Sequence, residues 1–151
     1  MLTALSNLLK TLTDSTTDKV DEVQPSLAAA VLMFEVVWAD HNVEPEEITR
    51  VSQALQSMFD LSSQEVDALI EQTKQMHETS VGVFPFTRAI NEHTDQSTKI
   101  AIVEHMWRIA YSDNTLDVFE EHTIRRIADL LYVSHKDFIG AKLRARERGQ
   151  S

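Results

Sequence analysis

The sequence predicts an all-α protein, a multihelical array of about eight helices with internal duplication of a three-helix unit. Three observations carry this expectation. Apolar residues recur at helical spacing along nearly the whole chain of 151 residues. Only three glycines and three prolines punctuate it, which favours long helices over many short strands. Finally, one pattern occurs twice, 73 positions apart. Asp40 aligns with Asp113, Val43 with Leu116, Glu44 with Asp117 and Glu47 with Glu120. The flanks agree in kind: Phe34 with Trp107, Trp38 with Tyr111, Val51 with Ile124, Met58 with Leu131, Phe59 with Tyr132.

Residues 1–12 place Leu2, Leu5, Leu8, Leu9 and Leu12 on one helical face, while 13–25 are polar, aperiodic and read as a linker. Lys10 alone charges the polar face of that first helix, whereas membrane-surface helices are rich in Lys and Arg. Docking on the domain or on a protein partner is therefore favoured over peripheral membrane contact. Ser26 is the expected cap of the next helix. That helix carries Leu27, Val31, Phe34 and Trp38 in a stripe and is apolar on its other faces too, as befits the centre of a core. Pro45 suits the first turn of the following helix, whose buried face is Ile48, Val51, Leu55, Met58 and Phe59. Ser62 with Glu65 forms a capping box for a third helix reaching about Thr79, with Val66, Leu69, Ile70, Thr73 and Met76 inward.

Residues 81–85 break the pattern, and a short bridging helix is expected from about Phe86 to about His93. The second half then repeats the first. A helix capped by Thr94 or Asp95 carries Ile100, Val103, Trp107 and Ala110. The next opens at Asp117 or Val118 and carries Ile124, Ile127, Ala128, Leu131 and Tyr132. A last helix opens after Ser134, reaches about Arg146 and turns Phe138, Ile139 and Leu143 inward.

Composition excludes several function classes. No cysteine is present, so disulfides, zinc–thiolate sites and cysteine nucleophiles are out, and the chain suits a reducing compartment such as the cytoplasm. The net charge of −10 is uneven: residues 135–151 sum to +3 and the rest to −13. An acidic body repels phosphate backbones, so no nucleic-acid partner is expected. No glycine-rich phosphate loop, EF-hand spacing, H-E-x-x-H, Glu-x-x-His or G-x-S-x-G occurs. Neither an enzymatic activity nor an organic cofactor has support in the sequence.

The two acidic corners are the candidate site. Glu44 with Glu47, and Asp117 with Glu120, have capping-box spacing, and carboxylates there interact favourably with the helix dipole, by about 0.3–1 kcal/mol each. Asp40 and Asp113 are different, since each falls at the end of the preceding helix, where an anion is disfavoured. Two causes fit: each Asp accepts N–H groups of the next helix, or Asp and Glu together hold a hard cation through oxygen ligands.

The pattern resembles the TerB-like family of tellurite-resistance B proteins. Its features are two copies of an apolar helix, an Ala/Ser-Asp corner, a hydrophobic residue three on and a Glu seven on. Residues 39–47 (ADHNVEPEE) are its most specific part. The resemblance covers roughly Pro25 to Arg146, so the chain divides into an N-terminal helix and linker over 1–25, outside the resemblance, and a TerB-like domain over 26–148, with halves at about 26–79 and 96–147. It implies an all-helical, non-enzymatic protein of the bacterial stress response. It further implies a divalent cation, Ca²⁺ or another, on Asp40, Glu44, Glu47, Asp113, Asp117 and Glu120. The family often has Gly after the corner Asp, where this chain has His41 and Asn114. A metal-free interaction scaffold with purely structural acidic corners is the alternative; oligomeric state and partner identity stay open.

Overall fold

The computed structural model describes residues 23–77, 82–112 and 116–149. Among these residues there are seven helices and no strand. They are α1 (Pro25–Trp38), α2 (Pro45–Phe59), α3 (Ser63–His77), α4 (Phe84–His93), α5 (Gln96–Ala110), α6 (Val118–Leu130) and α7 (His135–Gly149). The expected leucine-rich helix at 1–12 lies outside the described residues.

α1 is the central element. Leu27 to Phe34 are buried without a break, followed by Val36 and Val37, so every face of the helix is covered. It packs against α2, α3, α4, α5 and α6. Each large apolar side chain buried this way contributes about 1.5–3 kcal/mol, which makes α1 the main hydrophobic anchor. α5 plays the same part for the second half and packs on α1, α2, α6 and α7. The partners exchange: α1 of the first half touches α6 of the second, and α5 of the second touches α2 of the first. Two related halves that contact each other reciprocally form a two-fold arrangement.

Burial repeats with the 73-residue offset. Phe34 and Trp107 are fully buried, as are Val51 and Ile124, and the starts of α2 and α6 coincide under the offset. Several boundaries differ from the sequence expectation, each for a local reason. α1 starts at Pro25 rather than after Ser26; its N-cap, Gln24, makes no side-chain cap, and Pro25 occupies the first turn, where its missing N–H leaves no bond unmade. Pro85 acts likewise in α4, which starts at Phe84 instead of Phe86. Asp95 caps α5, accepting from Thr98 N at 2.9 Å. α7 continues to Gly149, past Arg146.

Some side chains also fall elsewhere than expected. Tyr132 is 77% exposed, because the chain leaves α6 at Leu131 and turns through φ +59° at Tyr132, which rotates the phenol outward. Leu143 is exposed as well. Trp38 and Phe59 are only partly buried, packed at the edge of the core. Val43 faces solvent, whereas its aligned counterpart Leu116 packs on the core.

Candidate metal centre at the two-fold junction

The α1–α2 corner is built by its own hydrogen bonds. Asn42 N–H donates to Asp40 Oδ1 at 3.0 Å, closing an Asx turn that holds Asp40 in place. His41 takes φ +61°, the left-handed conformation that favours glycine, so the turn needs this geometry whichever residue occupies it. Asn42 Nδ2–H donates to Glu44 Oε1 at 3.0 Å, and Glu44 N–H donates to Glu47 Oε1 at 2.9 Å. Glu44 is thus the N-cap of α2, with Glu47 as the returning arm of a capping box.

At the α5–α6 corner the described residues repeat the capping part of this chemistry. Asp117 caps α6 by accepting from Phe119 N–H at 2.7 Å, and Asp117 N–H donates to the Glu120 carboxylate. Asp113, the expected counterpart of Asp40, lies outside the described residues.

Glu47 and Glu120 are each only 3% exposed, and they hydrogen-bond to each other. They occupy equivalent positions in the two halves, and a residue can touch its own equivalent only at the two-fold axis. The two corners therefore form one site. Two buried carboxylates in contact cannot both be ionised without a compensating charge. Burial pushes the Glu120 carboxyl up to about 9, helped by its hydrogen bond with Glu47 and by the negative charges of Glu47 and Asp40. At neutral pH the pair thus shares a proton. Of the six expected ligands, the structure brings Glu47 and Glu120 into contact, with Asp40 near enough to repel Glu120; Glu44 and Asp117 stand at the rim as caps. Among the described residues, no group of three or more His, Asp or Glu side chains is arranged to hold a metal ion.

Sequence reasoning missed a second polar position. Glu35 lines a cavity of about 260 Å³ between α1 and α3, with apolar walls from Val31, Trp38, Met76 and Phe86. Burial raises its pKa, partly offset by His77 and Arg126. The His77 ring lies against Trp38, with ring centroids 3.8 Å apart and the planes tilted by 30°. A lone carboxylate inside an otherwise apolar helix was the available signal.

The family model described as Tellurite resistance protein TerB matches residues 26–143, most of the chain. The chain belongs to the TerB family. The match begins at the second residue of α1 and runs into α7, so it takes in both acidic corners of the TerB domain and omits the leucine-rich N-terminal segment. No curated protein and no solved structure matches the chain significantly. Among the described residues of this TerB-family chain, no helix is long and apolar enough to cross a membrane.

Proposed function

We propose that this chain is a non-enzymatic helical module of the tellurite-resistance type that holds a divalent cation, Ca²⁺ or another, where its two halves meet. It would act in a cytoplasmic stress response through protein partners. The burial of Glu47 and Glu120 against each other carries this reading. A hard cation with carboxylate ligands would supply the positive charge that the pair lacks when both carboxyls are ionised. Asp40 extends the oxygen set beside the pair, with Glu44 and Asp117 at the rim, and Asp113 joins the proposed ligands only through its alignment with Asp40 in the repeat.

The test is a thermal melt against Ca²⁺, with ionic strength matched by a monovalent salt. A ligand that binds only the folded state stabilises by about 2.7 kcal/mol at a hundred times Kd. Glu47→Gln combined with Glu120→Gln should abolish the response and keep the helical content. An unchanged response in this variant, or none in the parent, would overturn the reading.

A second reading has its own support. Glu47 and Glu120 already accept the N–H groups of their N-cap residues, and a shared proton satisfies their remaining contact. In that case the corners are structural clamps of a metal-free interaction scaffold, and the parent's melt does not respond to Ca²⁺.

A further inference from the structure

The internal duplication lets one place be compared between the two halves, side chain by side chain. Under the 73-residue offset, Val31 and Glu35 of α1 stand where Glu104 and Arg108 stand on α5. On α5 the charges are matched within the fold: Arg108 pairs with Glu104 at 3.0 Å, and Arg144 of α7 pairs with the same carboxylate. On α1 they are not. Among the described residues, no hydrogen bond or ion pair reaches the Glu35 carboxylate, and His77 and Arg126 act on it through their charge alone. A partly buried carboxylate without a partner costs free energy, and a bound cation recovers it.

The space beside Glu35 has the chemistry of such a guest. Val31 of α1, Met76 of α3 and Phe86 of α4 are buried and give the cavity of about 260 Å³ its apolar wall. Its two oxygen groups both accept: the Glu35 carboxylate, and Thr73 Oγ1, whose own proton goes to Leu69 O at 2.8 Å. An ammonium group has donors and no acceptor, so it suits this pair. Trp38 adds an aromatic ring to the wall, with which a cation also interacts favourably. A volume just below the usual range of ligand pockets restricts the guest to a small molecule. We propose that this cavity binds a small amine, an ammonium group carried on a compact apolar body, with Glu35 as its counter-ion. The site is separate from the junction of Glu47 and Glu120 and does not depend on a cation there.

The probe is 2-phenylethylamine, titrated into the full isotope-enriched chain at neutral pH, with sodium chloride matching the ionic strength. A range up to about 30 mM covers the weakest affinity expected of a ligand this small. Saturable shifts are expected at the amides of Glu35, Thr73 and Phe86 and at the indole N–H of Trp38. The neutral analogue 2-phenylethanol should bind at least about tenfold more weakly, since it lacks the charge-assisted bond to Glu35. Glu35→Gln keeps the size of the side chain and should lower the affinity for the amine to that of the alcohol. Equal binding of amine and alcohol by the unaltered chain would mean an apolar cavity without a counter-ion, and the proposal fails even where the Gln variant does not fold. It fails also if Glu35→Gln binds the amine as the parent does. Shifts confined to the first turns of α2 and α6 would be general attraction to acidic corners, and together with silence at Glu35 they would overturn the assignment.

Discussion

At the scale of single residues, Glu120 makes a specific contribution to the pH dependence of the metal-free protein. Its folded pKa of about 9 lies above the ordinary carboxylate value, so between the two the folded state binds more protons than the unfolded state. The contribution of this one group to stability is then fully present below the unfolded pKa and is lost as pH rises through about 9, by at most about 1.4 kcal/mol per pH unit for one proton. Glu120→Gln keeps a donor toward Glu47 and removes the titration. Urea unfolding at about pH 6 and about pH 8.5 should show the parent losing stability and the variant holding nearly level. Equal slopes in both proteins would mean that another group carries the proton. The sequence showed both glutamates, because each sits three residues after its N-cap and the pair recurs at the 73-residue offset. Their contact was not legible. Capping chemistry accounts for each glutamate alone, and no local signal says that two helix starts face each other.

At the scale of elements, periodicity was enough to find helices but not to set their ends. Pro25 and Pro85 look like breakers in sequence and instead sit in first turns, where backbone N–H groups have no helical partner anyway. Tyr132 fits the apolar stripe of α6 by spacing, but a left-handed turn ends the helix before the stripe reaches it. The two tryptophans show how such edges affect energetics. Trp107 on α5 is fully buried, with the Phe138 ring 5.2 Å from its own and Lys142 Nζ 5.1 Å from its centroid. Trp38 on α1 is partly buried and lies against the tilted ring of the exposed His77. Trp107→Ala should therefore cost about 3–5 kcal/mol of stability. Trp38→Ala should cost clearly less, since less apolar area leaves water there. Chemical denaturation of both variants ranks them. Acrylamide should quench the emission of Trp38→Phe, which reports Trp107 alone, more weakly than that of Trp107→Phe. A reversed order would contradict the burial assigned to the two rings.

At the scale of the whole molecule, the halves share an order of elements but differ in how tightly the third helix closes. α7 lies on α5 through the Trp107–Phe138 contact and the pairing of Arg144 with Glu104. α3 leaves the Glu35 cavity between itself and α1. Repeated residue types announced the shared order, whereas this difference depends on side chains with no counterpart across the offset, Glu35 standing opposite Arg108.

The junction is where both halves meet the same chemistry, and the cation proposed for it makes a global prediction. Its inner carboxylates come one from each half, so binding should join the halves rather than tighten either alone. The cation must also displace the proton held between Glu47 and Glu120, because a carboxylate ligates metal in its deprotonated form. Calorimetric titration with Ca²⁺ near neutral pH should therefore give an apparent enthalpy that varies with the ionisation enthalpy of the buffer, reporting proton release. Well above pH 9 the pair is already deprotonated, and the buffer dependence should fade while affinity rises. Hydrogen exchange adds the structural half of the test: amides in the first turns of α2 and α6 should slow together when Ca²⁺ is added. Protection confined to α2, with no proton released, would place the ion at one corner and leave the Glu47–Glu120 contact as a clamp.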